Sequence, residues 1–138
     1  MIKGNDHAVV LVSDIETGIA SYRKLGLKLS HRATVEAVSI HQAFFLLPEG
    51  GFIELIAPAN DTSPLQKALD KQGEGLHTLA LKVEDIDASV AAMQAEGVEV
   101  IGAGTDQVFV HPRSAHGVRI QLWDQHRPHR WQDNPSET

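Results

Sequence analysis

Two stretches of this chain carry the same punctuation. "DHAVVLVSDIETGI" begins at Asp6 and "LHTLALKVEDIDAS" at Leu76. Asp14 matches Asp85 and Gly26 matches Gly97, each pair 71 residues apart. Between each Asp and its Gly runs a helix-period pattern: Ile15, Ile19, Tyr22 and Leu25, then Ile86, Val90 and Met93. Asp14 and Asp85 are placed to cap the free N–H groups of a first turn, and Gly26 and Gly97 to end each helix in a left-handed turn. The chain is therefore expected to fold as two copies of one small unit.

Strand patterns follow each helix: 27–35, 39–47 and 51–57 in the first copy, 98–101, 107–111 and 118–123 in the second. "PEGG" (Pro48–Gly51) reads as a hairpin turn and "HPRSAHG" (His111–Gly117) as a longer loop. Each copy is then a βαβββ module, spanning 5–57 and 76–123. The linker 58–75 holds a short helix near Pro64–Lys71, and 124–138 is a polar tail in which Trp131 offers a docking side chain for a partner surface. Neither module closes a core alone. Placed side by side, two four-stranded twisted sheets make an α+β cup within a single domain, with helices outside and alternate strand residues lining the inner wall.

Composition narrows the function classes. At 138 residues the chain can bury a real core, and a net charge of -6 without a basic stripe argues against nucleic acid and anionic membrane. The absence of cysteine excludes disulfides and thiolate metal sites. No apolar run approaches the roughly 20 residues that span a bilayer, and no signal peptide is evident, so a cytoplasmic protein is expected.

Three segments carry a family likeness: "DHAVVLVSDIETGIASYRKLGLKLSHR", "FIELIAPANDTSPLQKALDKQGEGLHTLALKVEDID" and "VFVHPRSAHGVRIQL". Over about residues 5 to 123 the chain resembles the vicinal-oxygen-chelate superfamily of glyoxalases, bleomycin-resistance proteins and dioxygenases. It is most similar to the methylmalonyl-CoA epimerase branch. The resemblance implies a homodimer whose cup holds one divalent metal (Zn, Co, Ni or Mn) and takes a small-molecule substrate. His7 falls on the first ligand position and Glu54 on the second. Counting 7 back from Asp85, as His7 stands 7 before Asp14, gives Thr78 at the third, where the epimerases have histidine. Gln121 stands at the fourth, where the family has glutamate. His77 is placed by strand alternation on the opposite face, unless a bulge in the fifth strand re-aims it and restores a set of His7, Glu54, His77 and Gln121 that suits Zn or Co. One imidazole, one carboxylate, one hydroxyl and one amide make a feeble site, so metal binding is expected to be weak or absent.

Glu54 sits between Phe52, Ile53, Leu55 and Ile56, where an unpaired carboxylate is costly. It is the candidate general base, with an ionised pair to His7 favoured over a desolvated, neutral state. His41 stands near the position of a family acid–base carboxylate and is the second candidate proton carrier. Phe52, Ile56, Thr78 and Trp123 would contact substrate, and Arg113 in "PRS" resembles a loop that holds an anionic group. His31, His111, His116, His126 and His129 read as solvent-exposed. Two functions follow. One is a lyase or isomerase of glyoxalase I or epimerase type, removing a proton beside a carbonyl or thioester. The other is a metal-free protein that sequesters or senses a small molecule in a cup walled by Val9, Phe52, Ile56 and Trp123.

Overall fold

The computed structural model describes residues 1–129 and 131. The first half runs β1 (Ile2–Leu11), α1 (Ile15–Lys24), β2 (Leu29–Val35), β3 (Ile40–Leu46) and β4 (Phe52–Pro58). The connecting helix is α2 (Pro64–Gln72). The second half runs β5 (Gly75–Val83), α3 (Ile86–Ala95), β6 (Val100–Ile101), β7 (Val108–Val110) and β8 (Ile120–Asp124). The helix signals act as their chemistry requires. The Asp14 carboxylate accepts from the Thr17 N–H at 2.9 Å, and that of Asp85 from the Ala88 N–H at 3.0 Å. Gly26 and Gly97 both take positive φ just past their helices, at 96° and 85°.

The strands form one continuous eight-stranded sheet in the order β2-β3-β4-β1-β5-β8-β7-β6. The two halves join where β1 pairs antiparallel with β5. Each half places its first strand parallel to its last, β1 beside β4 and β5 beside β8. The first strands of both copies therefore lie at the centre of the sheet, and whatever they carry meets at the middle of the cup.

Side-chain alternation divides the sheet into two faces. On the outer face α1 packs Ile15 and Ile19 against Val12, Ala43, Phe45, Leu55 and Ala57, and a matching cluster of Val83, Val90, Val108, Val110 and Leu122 lies under α3. Burying such side chains contributes roughly 1.5–3 kcal/mol each. The linker helix α2 does something the sequence pattern did not reveal: Leu65 packs with Val9, Leu11 and Ile56 on the inner face, closing one end of the cup.

Candidate functional site in the cup

The inner face encloses a cup of about 1190 Å³. Register builds its floor in two rows. Phe44, Glu54, Val9 and Thr78 align across β3, β4, β1 and β5. Phe52, His7, Ala80 and Gln121 align across β4, β1, β5 and β8. His7, Glu54, Ile56, Thr78, Gln121 and Trp123 all line the cup, as the sequence placed them.

One local irregularity adds a residue that alternation hides. Asn5 pairs with Leu81 and His7 with Ala80, so Asp6 is an extra residue, a bulge in β1. Asp6 and His7 thus turn toward each other, with His7 Nδ1 2.6 Å from Asp6 Oδ2. Gly51 makes the neighbouring space: its φ is +77°, and a Cβ there would lie 3.0 Å from the Asp6 carbonyl oxygen. The His7 ring stacks on Phe52 at 4.4 Å between centroids. A proton on Nδ1 donated to Asp6 leaves Nε2 toward Glu54 Oε1, 3.9 Å away.

The favoured ionised pair between Glu54 and His7 meets only at ion-pair range, and burial works against it. At 3.9 Å the contact is too long for a hydrogen bond. Burial raises the Glu54 pKa above the ordinary carboxylate value; the charge of His7, the hydrogen bond from Gln42 Nε2 and the charge of His129 only partly oppose it. Gln42 Nε2 donates to Glu54 Oε2 at 3.1 Å. Asp6 behaves oppositely. Burial pushes its carboxyl up, but hydrogen bonds from His129 and His7, with the charge of both rings, outweigh this and hold it well below the usual range.

Thr78 faces the cup, but the expectation that His77 faces away is wrong. Val9 pairs with Thr78 and Val10 with Leu76, so His77 is the extra residue of a second bulge. Its ring turns inward to the cup margin and its Nδ1 lies 2.8 Å from Thr78 Oγ1. Burial and the nearby Arg119 charge lower the His77 pKa. The bulge engages the Thr78 hydroxyl with His77 instead of leaving it to a metal. His77 does not cluster with His7 and Glu54 among the described residues, so the donors at the positions taken over from the resemblance stay one imidazole, one carboxylate, an amide and this engaged hydroxyl, a set that fits a divalent transition metal poorly.

The tail was expected to be polar with His126 and His129 exposed; His126 is exposed, but His129 and Trp131 turn in over the cup. Trp123 Nε1 donates to the Arg127 carbonyl at 2.8 Å, turning the chain back over the cup. His129, 9% exposed, stacks on Trp123 at 4.0 Å and brings Nε2 to 2.7 Å from Asp6 Oδ2. Trp131 stacks on Phe44 at 5.3 Å and meets Phe52 edge-on, docking in the chain's own cup. His31 is likewise buried, tilted against Phe44 and stacked with Trp131.

Three candidate residues are not on the cup wall. Phe52 lies on the inner face but is covered by the rings of His7, His129 and Trp131. Alternation turns Gln42 inward and His41 outward, where its Nδ1 lies 2.8 Å from Thr34 Oγ1 and its charge acts on Asp14 at the start of α1. Arg113 makes two 3.0 Å hydrogen bonds to Glu99 and is absent from the cup wall. Sequence reasoning missed Asp6 and Gln42, read His129 as exposed, and gave Trp131 to a partner surface. Of these only Trp131, a large aromatic in a polar tail, carried a visible signal.

A model of the Glyoxalase/Bleomycin resistance protein/Dioxygenase superfamily matches residues 6–128. The protein YqjC of Bacillus subtilis is 32% identical, over 90% of this chain and 96% of its own length. The ethylmalonyl-CoA/methylmalonyl-CoA epimerase of Cereibacter sphaeroides is 29% identical, over 88% of this chain and 98% of its own. Among solved structures, methylmalonyl-CoA epimerase from Mycobacterium tuberculosis superposes with a TM-score of 0.78 at 32% identity, covering 91% of this chain and 90% of that one. A single-residue variant of the Streptomyces coelicolor methylmalonyl-CoA epimerase, in complex with 2-nitronate-propionyl-CoA, gives 0.76 at 27%, covering 92% and 100%. With its two βαβββ halves joined through β1 and β5 around one cup, this chain belongs to the Glyoxalase/Bleomycin resistance protein/Dioxygenase superfamily.

Proposed function

We propose that this chain is an epimerase-like isomerase that removes and returns the acidic proton beside the carbonyl of a coenzyme A thioester, with Glu54 as the base. The observation that carries this reading is Glu54 itself: a largely buried carboxylate on the cup floor, its pKa raised by desolvation, held by Gln42. A raised pKa brings a carboxylate nearer to the acidity of the proton it must move and return. The Gln121 amide and the His7 ring line the same wall and supply dipoles toward negative charge growing on a carbonyl oxygen. The thioester class is supported by the epimerases among the similar proteins, whose names state methylmalonyl-CoA and ethylmalonyl-CoA.

The test is to incubate the protein with methylmalonyl-CoA or ethylmalonyl-CoA in D2O and follow deuterium entry at the α-carbon by mass spectrometry. Exchange well above the buffer rate is expected; exchange at the buffer rate with both thioesters contradicts the reading. The aromatic end formed by Phe44, Phe52, Trp123 and Trp131 supports a second reading, a protein that holds a small apolar molecule. Tight binding of a ligand without any exchange would favour it.

A further inference from the structure

We propose that Asp6, His7 and His129 form a binding site for a divalent transition metal of the zinc and cobalt class, completed by the C-terminal segment. The site differs from the positions taken over from the family resemblance, using only His7 from that set. Its donors are two imidazoles and one carboxylate, the mixture that such ions accept readily. All three residues are buried, at 7%, 5% and 9% exposure, and one ligand atom from each lies within 4.8 Å of the others. Asp6 Oδ2 already sits 2.6 Å from His7 Nδ1 and 2.7 Å from His129 Nε2. Metal–donor bonds of about 2.1 Å in a tetrahedral site need donors roughly 3.4 Å apart, so the two contacts must open by about 0.7–0.8 Å.

Three features hold the donors in place before any ion arrives. The bulge at Asp6 turns adjacent residues of one strand to the same site. Stacking fixes the His7 ring on Phe52 and the His129 ring on Trp123. The Trp123 indole holds the Arg127 carbonyl and so anchors the turn that delivers His129. Charge points the same way. Glu54 Oε1 lies 3.9 Å from His7 Nε2, so two carboxylates, buried Asp6 and partly buried Glu54, flank one imidazole. A dication held at His7 Nδ1 would directly neutralise the Asp6 carboxylate.

The chain contains no cysteine, which makes a decisive test available. The His129→Cys variant places a single thiol at the proposed ligand position. Co2+ added to the untagged full-length variant is expected to give a thiolate-to-cobalt charge-transfer band, because the sulfur must bond the ion directly. Zn2+ affinity, measured by calorimetry on the full-length protein, is expected to fall at least 30-fold in His129→Ala and in Asp6→Asn. Far-ultraviolet circular dichroism of both metal-free variants checks that they fold. No charge-transfer band in a folded His129→Cys protein overturns the proposal. So does Zn2+ binding that survives His129→Ala but is lost in Glu54→Gln, which would put the ion on the family positions. Absence of Zn2+ and Co2+ binding at micromolar concentrations in the unmutated protein overturns it too. These measurements read the metal alone, so their failure leaves the proposed role of Glu54 untouched.

Discussion

Asp6 Oδ2 and His129 Nε2 lie 2.7 Å apart, tying the first strand to the C-terminal segment inside the cup. The same oxygen meets His7, so one carboxylate holds two imidazoles. The folded-state pKa of Asp6 is depressed, so its stabilisation is present above the unfolded value of about 3.9 and is lost as pH falls below it. Asp6→Asn is expected to cost about 2 kcal/mol at pH 7, the scale of hydrogen bonds to a charged group. The loss should shrink toward pH 2. Urea unfolding at several pH values measures both.

Glu54 has the opposite sign. Its folded pKa is raised by burial, so its contribution is fully present below about pH 4 and is lost as pH rises through the folded value. Glu54→Gln is therefore expected to raise stability at pH 8 and to change it little at pH 4. Thermal unfolding at the two pH values checks the difference.

Gly51 is bound by backbone geometry. Its φ is +77° and an added Cβ would meet the Asp6 carbonyl oxygen at 3.0 Å. Gly51→Ala is expected to destabilise by about 1–3 kcal/mol, through strain at a left-handed residue and crowding of the β1 bulge. Gly97→Ala has the same φ penalty with open space around it, and comparison of the two isolates the crowding.

Leu65 from the connecting helix fills the end of the cup against Val9, Leu11 and Ile56. Leu65→Ala is expected to cost about 2–4 kcal/mol by leaving a cavity under α2. Chemical denaturation with an unchanged m-value would confirm a local packing loss.

Thr78→His with Gln121→Glu supplies the imidazole and second carboxylate that the family positions lack in this chain. The double variant is expected to bind Zn2+ more tightly than the parent. In that background His129→Ala should have little effect on affinity. Equilibrium competition with a chromophoric chelator reads both changes.

The fold was legible because it rests on periodicity and caps. Asp14 and Asp85 cap the helices they start, and Val12, Leu55 and Val83 pack beneath helices as alternation requires. The wall residues His7, Glu54, Thr78 and Gln121 were legible for the same reason. What alternation could not give were the bulges at Asp6 and His77, since each adds one residue against a partner strand without altering the apolar pattern. His41 was misplaced because its cup position depends on parity, and Gln42 holds that parity. His129 and Trp131 were misplaced because their burial comes from aromatic packing across the cup, between residues far apart in the chain.

The central claim is that Glu54 moves the proton, and exchange in Glu54→Gln tests it most directly. The substitution keeps shape and burial while removing the base. Deuterium entry at the α-carbon of methylmalonyl-CoA or ethylmalonyl-CoA, whichever the unmutated protein exchanges, should fall at least 100-fold, about 2.7 kcal/mol of barrier. In the unmutated protein the rate should rise with pH as Glu54 ionises. A folded Glu54→Gln protein that exchanges the α-proton at the original rate would contradict the claim.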